Sequence, residues 1–339
     1  MTVRSRRRHK PISMALNGDY AETLPAGLYR SLSFKASGVV AASGAGTNAG
    51  DGPFGLIGRV EWVRNGTPII SMHAADLRHL TAFLASAYPE ILPASIANPS
   101  TFLAQAELPL EKIMPDAGVD ARKVELVVRG RVRGATNLGS TVTSLTSGKI
   151  RGGGDTDESG KKDYFEPSFF QKTIDTSSAG AELTSTHRIT NDVEMCAALM
   201  LRCFDSSLEL SDPNTYRSDG MVREIKVTLE REGQPSKLVK QLTWGEAKLG
   251  STTLAGISAA TGQIQTGVVL VPIEDPDNPG SALRLVAGDA LNVVVDTLNA
   301  VEDEFTALTP AAGDQVVVSF LNFVPKGPGV DAVKAKLRR

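Results

Sequence analysis

Four histidines, two cysteines and three acidic clusters are the side chains in this 339-residue sequence whose types and spacing invite a chemical reading. His73 and His79 stand six residues apart and do not share a helical face; a zinc site would need HExxH or paired Cys and His, and neither occurs. His187, in "STHRITND" near Asp192, reads as a structural loop histidine rather than a general base, and His9 belongs to a basic run. Cys196 and Cys203 are seven apart, on opposite faces of a strand or about 10 Å apart along a helix, too far for a local bridge, so free thiols are expected. Asp155/Asp157/Glu158, Asp275/Asp277 and Glu302/Asp303/Glu304 offer oxygens to calcium but lack EF-hand spacing, and read as solvated loop carboxylates. There is no GxSxG elbow and no GxxxxGK[ST] loop. Gly44, Gly46 and Gly50 give GxGxxxG, and the following Asp51-Gly52-Pro53 cannot open the long helix of a dinucleotide site. The expectation is a non-enzyme with no catalytic residue, cofactor, metal or small-molecule substrate.

Charge is the stronger signal. Net charge is −2, yet residues 1–10 carry five cations (Arg4, Arg6, Arg7, Arg8, Lys10) and no acid, and residues 326–339 carry five (Lys326, Lys334, Lys336, Arg338, Arg339) against Asp331. Setting both ends aside from the 36 basic and 38 acidic residues leaves 26 against 37, a body of −11. Two positive tails on a negative globule are drawn to phosphate-rich surfaces, nucleic acid or anionic lipid. Arg4, Arg6, Arg7, Arg8, Lys10, Lys334, Lys336, Arg338 and Arg339 are therefore the candidate membrane or nucleic-acid contacts. No stretch approaches the ~20 apolar residues of a membrane span, and the basic N-terminus lacks the apolar region of a signal peptide, so synthesis and folding in the cytoplasm are expected.

The elements that would carry these residues are mostly strands. Thirty-two Gly and eighteen Pro punctuate short apolar runs. In "LYRSLSFKASGVV" Leu28, Leu32 and Phe34 share one parity with Arg30 as the exception. In "VEWVRNGTPIISM" the pair Asn65-Gly66 predicts a type I′ hairpin, with Arg64 opposite Thr67, Val63 opposite Pro68 and Trp62 opposite Ile69. Trp62, Asn65, Gly66 and Ile69 are thus packing and turn residues. An amphipathic helix follows, with Leu77, Leu80, Phe83, Leu84 and Ala87 at helical spacing, ended by Pro89. In "VREIKVTLERE" Val222, Glu224, Lys226, Thr228 and Glu230 face one way, and Arg223, Ile225, Val227 and Leu229 the other. Tyr164, Phe165, Phe169 and Phe170 form the densest aromatic cluster, read as core or subunit contact. The expected organisation is a mobile basic arm over 1–22, a β-sandwich over 23–150, a Gly-rich linker or loop over 151–163, a second sandwich over 164–326 and a basic tail over 327–339. The fold class is all-β, with a short helix inserted in the first sandwich and flexible basic termini.

The series "LPAGLYRSLSFKASGVV", a Gly-rich loop, "DGPFGLIGRVEWVRNGTPIISMHAADL" and a helix resembles the opening of the major capsid proteins of double jelly-roll, tailless icosahedral bacteriophages. In that resemblance Leu24-Pro25 to Leu32 is the first strand, Leu56 to Val63 the next, Asn65-Gly66 the turn and Ala74 to Ala87 the helix. It implies two jelly rolls in tandem, a homotrimer of pseudo-hexagonal outline and an icosahedral shell. It also implies a place in the virion after synthesis in the host cytoplasm, neighbouring capsomers and minor capsid proteins as partners, and basic tails facing an internal membrane or packaged genome. Two other readings stand beside it. One is a two-domain β-sandwich binding module for glycans or a host surface, with Trp62, Trp244 and Tyr216 as stacking rings; the other is a minor capsid or penton protein.

Overall fold

The computed structural model describes residues 4–8, 10–44, 52–85, 99–139, 141–158, 163–177, 181–190, 193–204, 219–255, 266–297 and 313–327. The described residues up to Ser168 form one compact unit and those from Phe169 a second.

In the first unit the strands are β1 (Arg4–Arg8), β2 (Ile12–Ser13), β3 (Asp19–Thr23), β4 (Leu28–Tyr29), β5 (Ser31–Ala42), β6 (Ile57–Arg64) and β7 (Thr67–His73), then β8 (Ser100–Pro109), β9 (Val119–Asp120), β10 (Leu126–Val132) and β11 (Val142–Asp157). Helix α1 (Ala74–Ala85) follows β7, and a single turn, α2 (Leu110–Ile113), follows β8. One sheet runs β8-β5-β11-β4-β9 with β1 and β2 also on β11; the other runs β7-β6-β10-β3. Strict alternation builds the interior: Phe102, Ala104, Ala106 and Leu108 of β8 are buried while Thr101 is exposed and Gln105 and Glu107 are half-buried. Tyr20 of β3 meets Phe34 of β5, ring centroids 5.8 Å apart, so the two sheets close on one another as a sandwich.

Strand β12 (Tyr164–Asp175) contains the division between the units. The second unit continues with β13 (Glu182–Arg188), β14 (Glu194–Phe204), β15 (Val222–Glu230), β16 (Lys237–Thr243), helix α3 (Trp244–Ala255), β17 (Val268–Pro272), β18 (Glu274–Asp275), β19 (Asn278–Leu285), β20 (Ala290–Thr297) and β21 (Gln315–Lys326). A sheet β18-β19-β14-β21, with β17 on β14, faces a four-stranded sheet β13-β20-β15-β16. A single core joins them, drawing Leu199, Leu201, Val318 and Phe320 from the first and Ile225, Val227, Leu291, Val293 and Val295 from the second.

Several local expectations change for identifiable reasons. Residues 4–8, expected within a mobile arm, are strand β1 on β11, with Arg6 opposite Asp155 and Arg7 opposite Gly154. The stretch expected as a Gly-rich linker from residue 151 is strand up to Asp157, because its glycines sit where neighbouring chain crowds in: a Cβ at Gly152 would lie 2.6 Å from Val128 and 2.7 Å from Leu24. In the hairpin, Asn65 (φ 47°) and Gly66 (φ 79°) adopt the left-handed conformations of a type I′ turn, and Arg64 and Val63 oppose Thr67 and Pro68. A bulge between Trp62 and Val63 then shifts the register, so Trp62 opposes Ile70 rather than Ile69, and both isoleucines are buried. A similar shift between Val222 and Glu224 turns Val222 inward with Ile225, and Arg223 outward to pair with Asp296.

The described part of helix α1 is buried on all sides over its first two turns rather than amphipathic, for Asp76, Arg78 and His79 are buried along with Leu77 and Leu80. The residues beyond Ala85, where Pro89 was expected to stop the helix, lie outside the described ones. Helix α3 is an element that strand patterning misses. Its start carries a reciprocal capping box: the Glu246 amide donates to Thr243 Oγ1 (3.2 Å) and the Thr243 amide donates to Glu246 Oε2 (2.8 Å). Ser251 then pins the helix to β17: its Oγ accepts from the Leu270 amide (2.7 Å), and its one hydroxyl proton has the carbonyls of Ala247 (2.7 Å) and Leu270 (3.0 Å) within reach. Each unit therefore contains a strand, turn, strand and helix in succession, β6-β7-α1 and β15-β16-α3.

Candidate functional site

In β1, Arg6 Nη2 donates to Glu107 Oε2 (2.9 Å) and its Nε lies 3.9 Å from Asp155; Arg7 Nη1 donates to the Ala26 carbonyl (2.8 Å) and its Nη2 lies 3.9 Å from Glu158. Two of the five N-terminal cations are thus held by the chain's own acids, while both keep 41% of their side-chain surface exposed. Such half-exposed pairs are worth ~0–1 kcal/mol, enough to seat β1 and weak enough to be exchanged. Arg4 and Arg8 lie on the same strand and Lys10 is exposed beyond it. Lys334, Lys336, Arg338 and Arg339 lie outside the described residues, as do His9, Asp192, Tyr216 and the acids at 302–304.

The best-formed polar cluster is buried in the first unit. Arg30, the exception to the strand's parity, is 3% exposed and donates from Nε (3.1 Å) and Nη2 (2.9 Å) to Asp157 Oδ2. Its Nη1 donates to the carbonyls of Asp116 (2.9 Å) and Ala117 (3.1 Å), and Glu111 stands 3.5 Å from Nε. Two further acid–base pairs lie in the same unit. Arg64 is 3.3 Å from Glu166, and Arg122 donates to both oxygens of Asp120, which holds that carboxyl below its usual range. Burial, assisted by Glu166, pushes the Tyr164 phenol up to about 12. These groups hold one another in place, and the acids of the 155–158 cluster are engaged by Arg6, Arg7 and Arg30 rather than converging on a cation. Among the described residues no group of three or more His, Cys, Asp or Glu is placed to hold a metal ion.

In the second unit His187 lies on strand β13, not in a loop. Its Nε2 is 3.0 Å from Glu194 Oε2, which also accepts from Asn322 Nδ2 (2.6 Å), and its ring lies 4.6 Å from Phe170 and 5.5 Å from Phe320. The histidine ties β13 of one sheet to β14 of the other. Phe170 stacks on Phe320 (4.9 Å) and Phe169 meets Phe323 edge-on (5.2 Å), so these rings are core. Cys196 and Cys203 are fully buried free thiols, and burial pushes both far above the usual thiol range, unsuited to nucleophilic work.

The aromatic side chains also bear on sugar binding. Trp62 is fully buried, and Trp244 is 6% exposed with its Nε1 donating to Asp219 (2.8 Å), so neither offers a ring face to a glycan. What the second unit does expose is Leu238 on β16 (49%) and Leu249 on α3 (70%), beside a strand at the edge of its sheet. An edge strand with an apolar flank is a surface that another chain can cover. No sequence signature announces it, because a sheet edge is defined by shape and exposed backbone rather than by particular residue types.

No protein-family model and no curated protein matches the chain. Solved structures do. The MCP of STIV, the Sulfolobus turreted icosahedral virus, superposes with a TM-score of 0.70 over 99% of both chains at 10% identity. The PBCV-1 virus capsid gives 0.61 over 97% of this chain and 96% of its own at 8% identity. The major capsid protein P2 from bacteriophage PM2 gives 0.53 over 95% and 98% at 9% identity. The chain has the double jelly-roll fold, across nearly its whole length.

Proposed function

We propose that this chain is the major capsid protein of a tailless icosahedral virus, forming homotrimeric capsomers that tile the shell. The observation that carries the reading is the whole-chain match: both units, not one, find counterparts in capsid subunits. Two sandwiches per chain and a threefold axis give six lobes, an outline that packs on a hexagonal lattice. Edge strands and the exposed Leu238 and Leu249 are then covered by neighbouring copies, which removes them as aggregation sites. A shell subunit needs lateral surfaces and no reaction centre, in keeping with the buried thiols and the interlocked acid–base groups. The binding-module reading loses two of its three stacking rings to the core. A minor capsid or penton role shares the fold and differs in copy number per particle. Neighbouring capsomers and minor capsid proteins are the partners, and the virion is the site of action after synthesis in the host.

Negative-stain images of the purified protein are expected to show six-lobed particles with threefold symmetry, at about three times the 35.9 kDa chain mass in sedimentation. A stable monomer at micromolar concentration that never associates removes the capsid reading.

The tails are proposed to meet phosphate-bearing material inside the shell. Since Arg6 and Arg7 are already seated on carboxylates, the C-terminal cations Lys334, Lys336, Arg338 and Arg339 are assigned the larger share. Deleting residues 328–339 is expected to weaken binding to anionic vesicles or DNA and to flatten its salt dependence, each lost phosphate contact on duplex DNA lowering the log–log slope by ~0.9. Unchanged binding would show that the tail is not the anchor.

A further inference from the structure

On the outer face of the β8-β5-β11 sheet lies a small recess of ≈ 50 Å³ lined by Arg6, Ser33, Lys35, Gln105 and Arg151, with Phe34 and Gly152 completing its wall. Its side chains are placed by register. Lys35 on β5 is directly opposite Arg151 on β11 and directly opposite Gln105 on β8. Directly opposed residues on one sheet face hold their Cβ atoms ~4.5–5.5 Å apart, and like charges in that position are destabilising. Elsewhere in this unit opposed charges are matched: Arg129 faces Glu61 and donates to it (2.9 Å), and Arg131 faces Asp19 across the outermost pair. The Lys35–Arg151 pair breaks that rule. No carboxylate lines the recess, and the nearest acids on its third cation, Glu107 and Asp155, are both spent on Arg6. Among the described residues Lys35 and Arg151 have no ion-pair partner.

We propose that this recess binds a phosphate-type oxyanion, inorganic phosphate or the phosphate of a lipid headgroup. The arrangement suits a tetrahedral anion: a guanidinium fork from Arg151, a point charge from Lys35, a second guanidinium held in place by two carboxylates, and neutral hydrogen-bonding groups from Ser33 and Gln105. The anion would turn a repulsive cross-strand pair into a bridged one. The site also gives the basic β1 strand a role of its own, since Arg6 supplies one wall only while β1 is docked. It is independent of the capsid reading, being contained in a single unit.

The test uses the full-length protein and inorganic phosphate, titrated by calorimetry and by thermal unfolding against chloride at matched ionic strength. Saturable binding near one phosphate per chain with a rise in Tm is expected. Arg151→Gln and Lys35→Gln, both on the outer face, are each expected to weaken phosphate binding about tenfold or more. Without phosphate, Lys35→Gln is expected to raise Tm, because it removes the repulsion. Sedimentation with phosphatidylglycerol vesicles separates the sources. Pelleting that free phosphate competes away, and that both variants lose, assigns a lipid headgroup; phosphate binding without pelleting assigns the soluble anion. A chloride-like response to phosphate, or variants that bind it as the parent chain does, overturns the proposal.

Discussion

Asp157→Ala is expected to destabilise the first unit by about 3–5 kcal/mol, far more than loss of any surface ion pair in the chain. Arg30 is 3% exposed and spends two of its N–H donors on Asp157 Oδ2, so removing the carboxylate leaves a guanidinium in the interior without its counter-charge. Glu111, 29% exposed and 3.5 Å away, offers only partial compensation. A double replacement, Arg30→Met with Asp157→Leu, is expected to recover part of the loss but not all, since Arg30 Nη1 also serves the carbonyls of Asp116 and Ala117. The Ala117 carbonyl would be left unpaired at about 1–3 kcal/mol, whereas that of Asp116 keeps the Phe165 amide as a donor (3.3 Å). Because two units need not unfold together, hydrogen exchange of the β4, β5 and β11 peptides is the suitable readout, with denaturant titration as support. A loss below about 1 kcal/mol in Asp157→Ala would mean that the pair is solvated and contributes as a surface pair does.

That ion pair also separates what is local in the sequence from what is not. Arg30 stands out in the sequence as a cation on the apolar parity of its strand. Its partner does not, since Asp157 lies 127 residues away at the end of a stretch whose glycines and charges suggest a solvated linker. The strand content, the type I′ turn at Asn65-Gly66 and helix α1 were legible because alternation, turn chemistry and helical spacing are local properties. Register was not, because the bulges at Trp62/Val63 and Val222/Glu224 are set by the sheet as a whole. Helix α3 has a local signal that is easily passed over: Thr243-x-x-Glu246 is a capping-box spacing hidden behind a strand-like run. The basic N-terminus could be read as positive but not as docked, for its acids, Glu107, Asp155 and Glu158, are brought to it only by the fold. The double jelly-roll fold itself leaves still less trace, and fold comparison rather than any motif shows it.

Gly154→Ala is expected to cost about 3 kcal/mol or more, although it adds one methyl group to what reads as a flexible stretch. A Cβ at Gly154 would lie 2.0 Å from the Ser31 carbonyl oxygen and 2.9 Å from the Tyr29 ring. The crowding has a geometric origin. β11 pairs with Tyr29 at Thr156 and with Ser33 at Gly153, so four steps on one chain match three on the other, and the extra residue bulges at the passage from β4 to β5. That bulge brings the Ser31 carbonyl across Gly154 while Arg30 reaches inward to Asp157, so one distortion serves both the ion pair and the close approach. Relief would require moving β11, which carries β1 and its Arg6 and Arg7 on its other edge. The same substitution at Gly44, where nothing lies within 4 Å of the added carbon, is expected to be neutral within about 0.5 kcal/mol and serves as the control. Equal stability of the two variants would mean that the glycines of β11 are tolerated rather than required. A large loss confined to Gly154→Ala, accompanied by faster exchange in β1, would establish that the Gly-rich stretch is the close-packed seam on which the basic N-terminal strand is laid.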